Sequence, residues 1–199
     1  MQADLELLEA WRAGDRKAGN ELLARHFQPL FRFFASKVPG EAEDLIQSTL
    51  LACVTYIDRV AEASSFRAYL FTIAAHQLYA HLRKHAKRDA QVDFTLTSLA
   101  ELGISPSSIV AQREREQQLA LALRRLPLEL QIVLELSYWE ELSASEIATV
   151  LSLPLGTAKS KIRRAKQLLA LELDRIGSKP DGAEDLDGWI RELRAESKP

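Results

Sequence analysis

Residues Ser143–Leu169 read SASEIATVLSLPLGTAKSKIRRAKQLL. Ser143 and Glu146 have the spacing of a capping box, in which the hydroxyl serves one backbone N–H and the carboxylate reaches back to the other. The pattern predicts a short helix through Ile147, Ala148 and Val150 to Leu151. Ser152-Leu153-Pro154 breaks it, and a second helix begins near Leu155 with Gly156-Thr157. A short helix, a tight break and a long basic helix form the layout of a helix-turn-helix.

A helical wheel at about 100° per residue sorts the second helix. Leu155, Ala158, Ile162, Ala165 and Leu169 fall on one narrow stripe, which is expected to face a core. Ser160, Arg163, Arg164 and Gln167 lie opposite, with Thr157 beside them. Lys159 and Lys166 flank one edge and Lys161 the other. Donors and cations therefore collect on the side a DNA major groove would meet. Arginine reads guanine with paired hydrogen bonds, worth roughly 1–3 kcal/mol of discrimination, whereas Lys and Ser mostly grip phosphate.

Outward from this stretch almost everything reads as helix, because apolar residues recur at three- and four-residue spacing and strand-like alternation is nearly absent. Asp15 is placed to cap a helix running towards Lys37, which Pro29 should kink or divide. Pro39-Gly40 is a turn. A second helix is predicted over Glu41 to Ile57 with Leu45, Leu50, Leu51, Val54 and Ile57 facing inward. After a loop, Arg59 to Ser65, a third runs from Phe66 to Lys87. Asp89 to Ser108 holds Gly103, Pro106, several Ser and Thr and no basic residue, and reads as a poorly ordered or only locally helical linker. Helices resume over Ile109–Leu126 and Leu128–Trp139, parted by Pro127. The fold class is all-α: a bundle over 1–88, a flexible linker over 89–108, a helix-turn-helix domain over 109–176 and an acidic amphipathic tail over 177–199. In the tail, Leu186, Trp189, Ile190 and Leu193 sit at helical spacing, and such a helix could dock on the chain's own basic surfaces or on a partner.

The net charge of −2 hides two positive stretches. Leu155–Leu171 holds five Lys or Arg and no acid, and Arg83–Arg88 has four basic residues in six. Such stretches are the footprint a phosphate backbone attracts. Other classes are excluded more directly. No apolar run nears the roughly 18 residues needed to span a bilayer, so membrane insertion is not expected. The first residues, with Asp4, Glu6 and Glu9, lack the basic-then-apolar pattern of a secretory signal. A single Cys53 rules out an internal disulfide, fits a reducing cytoplasm and reads as a small buried hydrophobe. There is no G-x-x-x-x-G-K-[ST], G-x-S-x-G or H-E-x-x-H, which argues against an enzyme and a cofactor. His81 and His85 are four apart, but a third metal ligand is out of reach and the surrounding Arg and Lys repel a cation.

The runs GTAKSKIRRAK (Gly156–Lys166) and SASEIA (Ser143–Ala148) resemble the C-terminal domain of sigma factors of the extracytoplasmic-function group of the sigma-70 family. The other half resembles the same family independently. AEDLIQ (Ala42–Gln47) is similar to its polymerase-binding helix, and SFRAYLFTIA (Ser65–Ala74) with His81-Leu82-Arg83-Lys84 to its promoter-melting and −10-reading segment. The likeness spans about Asn20 to Leu173 in the family's order.

This resemblance implies a promoter-specificity factor with core RNA polymerase and promoter DNA as partners, and it admits an anti-sigma factor. Asp44 and Gln47 would contact polymerase. Thr157, Lys159, Ser160, Lys161, Arg163, Arg164 and Lys166 would enter the −35 major groove. Melting needs a pocket for an unstacked base and cations along the displaced strand. The candidates are Val60, His76, Tyr79, Arg83, Lys84, Lys87 and Arg88. The sequence departs from the family at Ser48, where an acid often stands, at Tyr69 for Trp, at His76 for Asn and at Val60 for an aromatic. The residues taken by themselves also admit a stand-alone helix-turn-helix regulator, and a helical module whose basic faces bind acidic proteins.

Overall fold

The structure, a computed structural model, describes residues 3–57, 65–85, 93–100, 114–177 and 186–196. In order they form α1 (Asp4–Arg12), α2 (Arg16–Ala35), α3 (Ala42–Thr55), α4 (Phe66–His85), α5 (Glu114–Arg124), α6 (Leu128–Tyr138), α7 (Ala144–Val150), α8 (Leu155–Arg175) and α9 (Leu186–Glu196). Among the described residues the chain contains no strand, only an isolated bridge between Ser98 and Pro127.

The local signals account for most boundaries. Asp15 caps α2, its carboxylate accepting from the N–H groups of Lys17 and Ala18 at 2.8 and 3.3 Å. Pro29 does not divide α2, which runs unbroken through it. The cost of one missing hydrogen bond is met by the burial of Leu30, Phe33 and Phe34 immediately after it. The helix α1 has no counterpart in the sequence reading. It is short and weakly capped, and packing holds it: Leu7 and Leu8 are buried, and the Trp11 ring lies so close to Gly19 that a Cβ there would sit 2.7 Å from it. In α3 the buried stripe is Ala42, Leu45, Ile46, Thr49 and Cys53. Leu51 and Val54, expected inside, are 69% and 45% exposed. They project from the far side of the helix, since the apolar residues of α3 cover more than half its circumference. Cys53 is fully buried, which pushes its thiol up to about 12.

Two apolar cores result, and they do not follow the domain boundary expected from the sequence. The second contains α5, part of α6, the α8 stripe and α9. The first contains α1–α4 but takes in Leu128, Ile132, Val133 and Leu136 of α6 and Ile147 and Val150 of α7. Helix α6 is buried nearly all round because it serves both, as its LELQIVLEL sequence allows. The linker expectation also changes where the structure describes it. Asp93–Ala100 is packed: Phe94 and Leu99 are buried, Leu128 N donates to Thr97 O at 3.0 Å, and Glu129 N to Phe94 O at 3.1 Å. The short polar run conceals two apolar anchors that only a partner surface reveals.

His26 ties α1 to this bundle. Its Nε2 meets Asp4 Oδ2 at 2.7 Å, while buried Nδ1 has no partner among the described residues. Burial holds its pKa below the usual 6.5 despite Asp4, with Arg67 and Arg25 adding to the depression. The neutral ring therefore contributes fully above pH 6.5, and that stability is lost as pH falls through the depressed value. The urea midpoint should fall between pH 7.5 and 5, and His26→Gln should flatten that dependence; equal slopes would exclude His26 as its source.

Candidate nucleic-acid interface

The helix-turn-helix is built as its local chemistry dictates. Ser143 Oγ accepts from Glu146 N at 3.3 Å, and Glu146 Oε2 accepts from Ser143 N at 2.9 Å. Helix α7 ends at Val150, and Ser152 turns the chain with φ of 53°. Leu153 N donates to Ala148 O at 2.8 Å and closes the turn. Helix α8 then buries Ala158, Ala165, Leu169 and Leu173. Leu155 was expected on this stripe but is 45% exposed, because it occupies the first position of α8, before the helix reaches the core.

On the outward side of α8, Lys159, Ser160, Arg163, Arg164 and Gln167 are exposed, and Thr157 is half-buried. No acid lies within ion-pair distance of Lys159, Arg163 or Arg164 among the described residues. Ser160 Oγ donates to Thr157 O at 2.8 Å. The two edge lysines differ. Lys161 Nζ bonds Glu129 Oε2 at 2.7 Å, and Lys166 Nζ bonds Asp187 Oδ2 at 2.8 Å. The structure thus brings all seven α8 candidates to one helix, five turned to solvent or partly so and two held by acids from other helices.

The α4 candidates are placed differently. His76, Arg83 and Lys84 are exposed. Tyr79, expected to show an open face, is instead stacked on Phe94 at 5.2 Å, with Arg83 over the Phe94 ring at 5.6 Å. Phe94 follows the basic stretch in sequence and folds back onto it; burial pushes the Tyr79 hydroxyl up. Across a cleft from His76, Tyr79 and Arg83 stand Val150, Leu151 and Ser152 of the helix-turn-helix. Val60, Lys87, Arg88 and the side chain of His85 lie outside the described residues. No group of three metal-binding side chains occurs among those described.

On α3, Asp44 and Gln47 are exposed, and Ser48, Leu51 and Val54 continue the same face at helical spacing. The sequence reading missed Leu51 and Val54. Their signal was present, since they follow Asp44 and Gln47 by three- and four-residue steps.

The halves meet through opposite charges. Lys37 is wholly buried, paired with Glu135 of α6, and its Nζ donates to Phe33 O at 2.7 Å and to Ser36 Oγ at 3.0 Å. Burial pulls its pKa down while Glu135 pushes it back up. Arg32 approaches Glu140 at 3.4 Å, and Arg67 donates to Glu140 O at 2.7 Å. Burial holds the Glu140 carboxyl above its ordinary range. Arg124 donates to Ser36 O at 2.8 Å, and Ser65 to Glu146 Oε1 at 2.7 Å. The capping-box glutamate therefore also fastens α7 to the start of α4.

Two halves of this kind match two family profiles. Sigma-70 region 2 matches residues 23–88, and Sigma-70 region 4 matches residues 116–169. The chain belongs to the extracytoplasmic-function group of the sigma-70 family. Its relatives include the ECF RNA polymerase sigma-E factor of Escherichia coli, 26% identical over 176 residues that make up 83% of this chain and 92% of that protein. The RNA polymerase sigma-H factor of Pseudomonas aeruginosa is 26% identical over 179 residues, 84% of this chain and 92% of that one. Among solved structures, the sigma factor RpoE of Bartonella quintana with the anti-sigma factor NepR superposes with a TM-score of 0.62 at 25% identity, covering 79% of this chain and 98% of that one. CnrH bound to the cytosolic domain of CnrY shares the fold, with a TM-score of 0.64 at 24% identity over 87% of this chain and 99% of that one.

As a sigma factor the chain acts in transcription initiation, with core RNA polymerase and promoter DNA as partners. Sigma factors are regulators of transcription rather than enzymes as a class. No helix among the described residues is long and apolar enough to cross a membrane. A stand-alone regulator is not favoured, because it would need region 4 and leave region 2 unexplained.

Proposed function

We propose a division of labour at residue level, between a polymerase- and −10-binding domain over 1–88 and a −35-binding domain over 109–176. Region 2 meets polymerase through the exposed face of α3, where Asp44 and Gln47 supply polar contacts and Leu51 and Val54 an apolar edge. Its α4 face, with His76, Tyr79, Arg83 and Lys84, holds the separated −10 strand. Region 4 places α8 in the −35 groove, with Arg163 and Arg164 on base edges and Lys159, Ser160 and Thr157 on phosphate. The chain works in the cytoplasm, carries no catalytic step of its own, needs no cofactor and is a client for an anti-sigma factor.

One observation carries this reading: the outward face of α8 displays Lys159, Arg163 and Arg164 without a neighbouring acid among the described residues, while the opposite face is buried through Ala158, Ala165 and Leu169. The packed arrangement is the polymerase-free state. Elements named −35 and −10 lie roughly 25 base pairs, or about 85 Å, apart at 3.4 Å per pair. A compact chain of this length has a radius of gyration of only about 16 Å. Both elements cannot be read until the halves part, which also opens the cleft that His76, Tyr79 and Arg83 share with Val150, Leu151 and Ser152.

The test is footprinting on genomic fragments selected by run-off transcription. Protection of two separated elements is expected only when core polymerase is present. Protection of a single site by the chain alone would make it a self-sufficient regulator, and no protection under either condition would leave an interaction module.

A further inference from the structure

Helix α9 lies outside both family profiles. It is seated on region 4: Trp189, Ile190 and Leu193 are buried in the second core, against α5, α6 and α8. At its beginning, Asp187 accepts a short hydrogen bond from the Tyr138 hydroxyl and another from Lys166 Nζ at 2.8 Å. The same ammonium lies 5.3 Å over the Tyr138 ring. Burial pushes the Asp187 carboxyl up, but the hydrogen bonds from Lys166 and Tyr138 outweigh it and hold the group below its ordinary range.

Lys166 is one turn beyond Arg163 and two turns beyond Lys159 on the same edge of α8. Its ammonium would meet a phosphate when α8 enters a groove, yet here it is shared between a carboxylate and a ring. Lys161 on the other edge is held by Glu129, a residue of region 4's own α6. The acid on Lys166 comes from beyond Gly177, whose φ of 69° ends α8.

We propose that α9 is a built-in restraint on phosphate binding by region 4, acting through the Asp187–Lys166 pair. Three buried apolar side chains keep α9 seated, so the restraint acts on the Lys166 side chain and places one fixed negative charge at the rim of the groove. Because phosphate contacts carry no sequence information, withholding one lowers affinity for all DNA alike. Arg163 and Arg164, which face base edges, stay free. Region 4 thereby grips non-promoter DNA less, while the discrimination between sequences is kept. This inference rests on the assignment of α8 to the DNA interface.

The experiment titrates the full chain against a short random-sequence duplex across a range of salt. Asp187→Asn keeps an oxygen for Tyr138 and removes the charge. One more counterion released steepens the slope of log K against log salt by about 0.9 and tightens binding about three- to eightfold near 0.1 M salt. Lys166→Ala alone should weaken binding, since it uncovers the Asp187 charge, and Lys166→Ala with Asp187→Asn, which removes both charges, should return binding close to that of the parent chain. Removal of residues 178–199 should give the same steeper slope, so a loosened tail does not obscure the result. Lys159→Ala distinguishes the restraint from the assignment of α8 to DNA. If it flattens the slope while Asp187→Asn changes nothing, the restraint is wrong and the α8 assignment stands. If neither variant alters the slope, the α8 assignment falls and the restraint with it.

Discussion

Replacing Glu135 by alanine is expected to part the two halves of the molecule. Lys37 is fully buried, and its ammonium has Glu135 as its charge partner, with Phe33 O and Ser36 Oγ as neutral acceptors. Removing one member of a buried ion pair costs about 3–5 kcal/mol, because the other charge is left in a poorly solvating place. Here a cheaper escape than unfolding exists. The interface lies between two helical modules, so separation returns Lys37 to water with the helices of each module kept. A bias of that size moves a packed-to-open equilibrium by about 10²- to 10³-fold or more.

Scattering or a donor–acceptor pair on α4 and α8 should report a larger radius and longer distance for Glu135→Ala, with an unchanged far-ultraviolet spectrum. Exchanging both partners, Lys37→Met with Glu135→Leu, should restore the compact form, since apolar groups of similar volume replace buried ion pairs at little cost. A Glu135→Ala chain as compact as its parent would show that this pair does not hold the halves together. Parting should also free the cleft between His76, Arg83 and the turn at Leu151 and Ser152, so binding of single-stranded −10 DNA should strengthen in step.

Arg164→Ala should give the largest loss at the −35 element. Arg164 is exposed on the side of α8 opposite the Ala158–Ala165–Leu169 stripe and has no acid beside it among the described residues. A bidentate arginine–guanine contact is worth roughly 1–3 kcal/mol of discrimination, which is about 5- to 150-fold in affinity. The loss should fall on one base position and leave polymerase affinity unchanged. Lys159→Ala offers the contrast: binding should weaken evenly across sequences, with a salt slope smaller by about one. A uniform loss for Arg164→Ala would make it a phosphate contact, and a loss of polymerase binding would move it out of the DNA interface altogether.

The identity of every helix except α1 was legible because its signals are local. Asp15, the Ser143–Glu146 box and Pro127 act within a turn of the residues they organise, and their chemistry is the same in any surroundings. The inward stripe of α8 was readable from period alone, apart from Leu155 at its first position. By contrast α3 is apolar round most of its circumference, so nothing local decides which apolar residues face the core. Contact with α2 and α4 buried Ile46 and Cys53 and turned Leu51 and Val54 out beside Asp44 and Gln47.

What the chain's order of residues determined by itself is therefore its helices other than α1, their caps, the helix-turn-helix and the cationic face of α8, since each depends on neighbours within a few positions. Tertiary structure alone decided the rest. It placed α6 in two cores at once, buried Phe94 on Tyr79, set Lys37 against Glu135 across 98 residues and Asp187 against Lys166 across 21. The reason is physical. Amphipathic periodicity states that a face must be covered, but which partner covers it is settled by packing and charge between segments far apart in the chain.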